Sequence, residues 1–189
     1  MNTSVRKTSV NARDITMAAM GVALIAVCSW ISVPLTVPFT LQTFAVCLIA
    51  SLFGLRSGVR TVACYLLLGA VGVPVFAGFH GGIGALLGVT GGYLVGFLFT
   101  AIAVGFAADH GGRRPVVLIP SMILGILLCY LFGTGWFVLV YTKSSGPISV
   151  ASALALCVLP YIPADAAKAA LASLLAVRLY PLFEGRHTS

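Results

Sequence analysis

The sequence predicts an all-α integral membrane protein of six transmembrane helices, with a Gly-rich external loop and a short Pro-ended helix before the last span. Composition is the first reason. Of 189 residues 60% are hydrophobic and 8% charged, and the mean hydropathy is +1.10, far outside the range of ordinary soluble domains. The second reason is the length of the uncharged runs. Residues 15–55 hold no Asp, Glu, Lys, Arg or His, and residues 61–108 hold only His80 among these types. One crossing needs about 20 apolar residues, so each run accommodates two.

Pro and Gly divide the runs, because proline lacks a backbone donor and glycine loosens the chain. Pro34 and Pro38 split the first into helices over residues 15–33 and 41–55, and Pro74 with the glycines after it splits the second into 62–73 and 90–107. A fifth helix fills residues 116–140. The stretch 148–180 carries Pro160 and Pro163, and is expected to form a short non-spanning helix followed by the sixth span from Pro163. Residues 1–189 are expected to form one membrane domain, with a basic N-terminal segment at 1–14 and a tail at 181–189.

Cytoplasmic loops collect Lys and Arg. Arg6, Lys7 and Arg13 precede the first helix, Arg56 and Arg60 lie between the second and third, Arg113 and Arg114 between the fourth and fifth, and Arg178 and Arg186 at the end. Only Lys143 falls on the other side, and Lys168 within the apolar region. Both termini are therefore expected to be cytoplasmic. The net charge of +7 is scattered over four short segments rather than gathered on one face with aromatics, which argues against nucleic acid as a partner. The N-terminal apolar run is too long for a signal peptide and is expected to be retained.

Asp165 and Lys168 are the costliest residues in the chain. An ionised group in hydrocarbon costs about 2.5 to 3.5 kcal/mol even on the lenient insertion scale, so such groups mark function by default. At i, i+3 they can pair with each other, and Asp165 also suits the start of a helix. Glycines at 78, 81, 82, 84, 88, 91, 92 and 96 form the densest local pattern. They allow backbone to approach a ligand or helices to pack closely, and spacing alone leaves both open. Cys28, Cys47, Cys64, Cys129 and Cys157 contain no CxxC pair and are expected to be small core or lipid-facing residues. No GxxxxGK followed by Ser or Thr is present, so uphill transport would draw energy from an ion gradient or a separate ATPase. His80, His110 and His187 lie outside the predicted spans and only one Asp is buried, which disfavours an intramembrane protease. Rings of polar residues for a channel are also lacking.

The segments Pro38-Phe39-Thr40-Leu41-Gln42-Thr43-Phe44, Gly81-Gly82, Gly88-Val89-Thr90-Gly91-Gly92-Tyr93-Leu94-Val95-Gly96-Phe97, and Pro163 with Asp165 and Lys168, resemble the signature of the BioY family. These are the biotin-specific S components of energy-coupling factor (ECF) vitamin transporters. The resemblance spans nearly the whole chain. One departure is Val89, where the family pattern has proline, which loosens the turn into the fourth helix. The resemblance implies a six-helix subunit of the cell membrane that captures biotin from outside. It would work with a transmembrane coupling protein and two cytosolic ATPases, so that ATP is used by the partners and this chain is no enzyme and needs no cofactor or metal. A subunit for another small vitamin is the alternative.

Ala19 and Ala23 match the family's small-residue contact with the coupling protein. For the ligand, biotin presents a ureido edge, an apolar thiophane body and a carboxylate tail. Asp165 can accept from a ureido N–H, and Lys168 can donate to the ureido carbonyl or pair with the tail. Their closeness favours the head for both. Phe39, Gln42, Thr43, Thr90, Gly91, Gly92 and Tyr93 are further candidate contacts, and His80 a candidate for the tail. Trp30 and Trp136 are expected in helix packing or interfacial belts.

Overall fold

The structure is a computed structural model, and it describes residues 12–35 and 37–184. The basic positions Arg6, Lys7 and Arg186, together with His187, lie outside the described residues. The elements in chain order are α1 (Ala12–Trp30), β1 (Ser32–Val33), β2 (Phe39–Thr40), α2 (Gln42–Ala70), a 3-10 turn at Ala77–Phe79, α3 (Ile83–Leu87), α4 (Gly91–Gly111), α5 (Pro115–Ser145), α6 (Val150–Cys157) and α7 (Ile162–Glu184). Among the described residues five helices, α1, α2, α4, α5 and α7, are long and apolar enough to cross a membrane. The prolines that break the first apolar run sit in a small hairpin, in which β1 pairs antiparallel with β2 through Ser32–Thr40 and Val33–Phe39.

α2 is not straight. At Gly54 the backbone leaves helical geometry (φ 74°, ψ −174°), and the chain folds back on itself. Gly58 packs against the Ala50 backbone. Gln42 Nε2 donates to the Tyr65 hydroxyl at 2.6 Å, although 23 helical residues would separate them by about 35 Å. α2 therefore consists of two antiparallel limbs joined by a one-residue turn. This corrects the expected loop over Arg56–Arg60: both arginines belong to the helical second limb, because a left-handed glycine reverses the chain without a longer connection. Two other boundaries differ. Arg13 and Asp14 are already in α1, and residues 181–184 continue α7 despite Pro181.

α4 packs between α2 and α5, while α7 closes against α2 and α5, and α1 against α2. The core is continuous, from Ile25 and Val46 through Val104 to Leu118, Met122 and Phe137. Large apolar side chains such as Leu67, Val116, Leu131 and Leu174 remain exposed on the outside, as expected where lipid is the solvent.

At one end of the bundle the charges fasten the chain reversals. Asp109 Oδ2 accepts from the Leu55 N–H at 2.9 Å, supplying the cap that the second limb of α2 lacks. Arg113 pairs with Asp109 (3.5 Å), donates to the Ser51 carbonyl (2.9 Å), and lies 3.8 Å over the Tyr180 ring. Arg13 reaches the Phe183 carbonyl at 3.2 Å. The ends of α1, α4 and α7, the turn of α2 and the start of α5 thus meet at a basic end, and the hairpin, α3, α6 and the start of α7 gather at the other.

Candidate ligand-binding site

Opposite the basic end lies a cavity of about 480 Å³, within the size range of small-molecule sites. Every segment singled out from the sequence contributes to it. The hairpin and first limb of α2 bring Val37, Thr40, Gln42 and Thr43, the glycine-rich loop brings Phe76, His80, Val89 and Thr90, α4 brings Tyr93 and Phe97, and α7 brings Asp165 and Lys168. Gly81, Gly84 and Gly88 of the glycine pattern also border it.

Asp165 and Lys168 are only 5% and 8% exposed. Lys168 Nζ lies 2.8 Å from Asp165 Oδ1, donates to the Thr40 carbonyl at 2.7 Å, and sits 4.0 Å from the centre of the Phe39 ring. The Tyr130 hydroxyl donates to Asp165 Oδ2 at 2.5 Å. The pair is thus neutral overall and multiply bonded, the condition under which burial of two charges is tolerable. Each carboxylate oxygen retains a lone pair and the ammonium a proton not used by these contacts. Facing an open cavity, the group can offer an acceptor and a donor within one small area.

The remaining predicted residues divide into those that face the space and those that shape it. Tyr93 presents its ring to the cavity and passes its hydroxyl to Thr134 of α5 at 3.0 Å. Gln42 also lines the cavity, but both ends of its amide are occupied: Nε2 by Tyr65, and Oε1 by the Thr40 hydroxyl at 3.0 Å. Tyr65 in turn donates to the Val75 carbonyl, which the Ser29 hydroxyl also reaches at 2.6 Å. This buried chain ties the glycine-rich loop to α1 and α2. Phe39 lies beneath Lys168 and is not part of the cavity wall. Gly91 and Gly92 do not line the cavity either. A side chain at Gly91 would strike the Leu86 carbonyl, and one at Gly92 the Trp136 side chain. Their role in the structure is close packing. Ala19 and Ala23 are exposed on the face of α1 turned away from α2.

Several wall residues had no place in the sequence-level site. Tyr130 and Cys129 come from the middle of α5, and Cys157 and Tyr161 from the end of α6 and the approach to α7. Two of the cysteines expected in core or lipid contact are therefore cavity wall as well. Tyr161 donates to the Val37 carbonyl and packs its ring 6.0 Å from that of Phe39. Burial pushes the Cys157 thiol and the Tyr161 phenol above their usual pKa values, so both are neutral surfaces here. A tyrosine in the middle of an apolar helix was a usable signal for Tyr130, since a buried phenol requires a partner.

Trp136 donates to the Gly88 carbonyl at 2.9 Å and Trp30 to the Pro74 carbonyl at 3.0 Å. Both indoles hold the ends of the glycine-rich loop. Within that loop Gly78 and Phe79 adopt positive φ (69° and 60°), with the Phe79 ring stacked 5.0 Å from Trp30.

Fold and site together define a multi-pass helical membrane protein with a ligand-sized cavity at one end, built around a buried ion pair. The chain belongs to the BioY family, whose model matches residues 1–185. It is 40% identical over 171 residues to the biotin transporter BioY of Thermotoga maritima, covering 90% of this chain and 97% of that one. It is 38% identical to the probable biotin transporter BioY of Pyrococcus horikoshii, covering 90% and 98%. The fold matches the crystal structure of the S-component for biotin from an ECF-type ABC transporter with a TM-score of 0.78 at 27% identity, over 88% of this chain and 90% of that one.

Proposed function

We propose that this protein captures biotin and carries it across the cell membrane as the S component of an ECF-type transporter. The observation that supports this most directly is the Asp165–Lys168 pair, buried at the wall of a 480 Å³ cavity in a chain of the BioY family. Asp165 accepts from a ureido N–H while Lys168 donates to the ureido carbonyl. Tyr93, Phe97 and Tyr161 supply apolar and aromatic cover for the thiophane ring. His80, on the exposed loop at the mouth, is placed to meet the tail carboxylate. The competing arrangement, with Lys168 on the tail, requires the ligand to enter carboxylate first and brings that carboxylate beside the like charge of Asp165, 2.8 Å from the ammonium.

In this reading the cavity end faces outward and the basic end the cytoplasm, following the distribution of arginines. The antiparallel limbs of α2 count as two crossings, giving six in all. The chain performs no catalysis, and ATP is used by two cytosolic partners acting through a membrane coupling protein. Ala19 and Ala23 on the exposed face of α1 offer the close approach that a partner helix requires.

Biotin titration of purified wild type, Asp165→Asn and Lys168→Ala tests the site. Each variant removes a charged hydrogen-bond partner of the ureido group, worth about 1.5–3 kcal/mol, so binding should weaken by one to two orders of magnitude in each. Equal affinity in all three would reduce the pair to a structural role. Replacing Ala19 and Ala23 together with Leu should block assembly with the coupling protein while biotin affinity is unchanged. Normal co-purification of that double variant would remove α1 from the interface.

A further inference from the structure

A second cavity, of about 380 Å³, lies at the basic end, and the proposed transport site makes no use of it. It is bounded by the start of α1, the turn and second limb of α2, and the last turn of α7. α1 and α7 both pack on α2, and across the cavity Arg13 of α1 reaches the Phe183 carbonyl of α7 at 3.2 Å. Three guanidinium groups line it, from Arg13, Arg60 and Arg113, against the single carboxylate of Asp14. Arg113 is already engaged by Asp109 and the Ser51 carbonyl. Arg60 is exposed and has no hydrogen-bond or ion-pair partner among the described residues. The remaining wall combines Met17, Leu52, Phe53, Tyr180 and Phe183 with the polar Ser57 and Thr61.

We infer that this cleft binds the headgroup of an anionic phospholipid, with the phosphodiester on Arg60, beside the already engaged Arg13, and the glycerol and acyl chains against Met17, Phe53 and Phe183. Guanidinium groups match phosphate oxygens in charge and in bidentate geometry. Basic pockets between membrane helices at the inner surface are where such headgroups are held. A free small anion would leave the apolar side chains bare, whereas a lipid satisfies Arg60 and Met17, Phe53 and Phe183 at once. The cleft lies beside α1, so a bound lipid would occupy the flank of the helix proposed to meet the coupling protein.

Native mass spectrometry of the full chain, released from nanodiscs of phosphatidylcholine with a minor fraction of phosphatidylglycerol, tests the inference. Wild type should retain one phosphatidylglycerol in preference to phosphatidylcholine. Arg60→Gln should lower that retention about fivefold, the worth of one basic residue at an anionic surface. Arg56→Gln, the same charge change outside the cleft, should leave it unaltered, and Arg60→Lys, which keeps the charge but loses the bidentate fork, should restore it only in part. Biotin titration of each variant checks that the fold is intact. Equal losses in Arg56→Gln and Arg60→Gln would mean diffuse attraction and overturn the site. Displacement of the lipid by millimolar inorganic phosphate would make it a small-anion site and overturn the lipid. Preferential retention that is absent in wild type would overturn both.

Discussion

The two ends of the bundle use ionised side chains in opposite ways. At the basic end Asp109 and Arg113 spend their hydrogen bonds on backbone, the Leu55 N–H and the Ser51 carbonyl, on either side of the Gly54 reversal. There the charges replace a connection that the chain does not possess. At the cavity end Asp165 and Lys168 are bonded mainly to each other and to Tyr130, with the Thr40 carbonyl as the one main-chain partner, and they border open space. Substitutions at the first cluster should therefore be felt in folding, and at the second in binding.

The largest effect on stability is expected at Gly54. Its φ of 74° places any L-residue in the left-handed region, and an added Cβ would collide with the Asp109 carboxylate. Gly54→Ala should cost about 1–3 kcal/mol for backbone conformation alone, with the displaced cap adding to it. Thermal unfolding in detergent should show a clearly lowered midpoint, while the fraction that remains folded binds biotin with wild-type affinity. A normal midpoint with weakened binding would reverse the contrast between the two ends.

What the sequence made legible follows from the same contrast. The charge pattern separated the two ends because lipid tolerates few ions, and the motifs around Thr40, Thr90 and Asp165 marked three walls of the cavity. The single-residue turn at Gly54 was hidden, since an isolated glycine in an apolar run is indistinguishable from a packing glycine until Asp109, 54 residues beyond Leu55, is seen to cap that residue. For Tyr130 the need of a buried phenol for a partner was legible, but the identity of that partner was hidden for a related reason. Its partner lies 35 residues away on another helix, and nothing in the neighbouring apolar residues records that contact. Gly91 and Gly92 show the converse: a motif identifies a locality, and only packing against Leu86 and Trp136 assigns the individual residues within it.

Tyr130→Phe sharpens the comparison at the cavity end. The ring remains, and Asp165 Oδ2 loses the donor that fixes the plane of its carboxylate. A hydrogen bond to a charged group is worth about 1.5–3 kcal/mol, so biotin affinity should fall by about tenfold or more. The unfolding midpoint should shift less than in Gly54→Ala, because Lys168 still compensates the charge of Asp165. Unchanged affinity in a titration would show that the Lys168 contact alone orients the carboxylate.

The smallest effect is expected where neither charge nor strain is involved. Trp136 is half-buried on α5, and its indole N–H holds the Gly88 carbonyl just before Val89, Thr90 and Tyr93 enter the cavity wall. The next residue is Val89, which, unlike a proline, leaves φ unrestrained, so the turn relies on this bond. Trp136→Phe keeps most of the packing against Gly92 and removes the donor, a change of about 0.5–1.5 kcal/mol. Because the carbonyl anchors a loop at the cavity mouth, the loss should appear as a faster biotin off-rate, by severalfold, with little change in on-rate. Trp30, which holds the Pro74 carbonyl at the other end of the loop, is more exposed, and water can replace its donor. Trp30→Phe should therefore accelerate release less than Trp136→Phe, and the opposite ranking in stopped-flow measurements would place the controlling restraint at the α1 end of the loop.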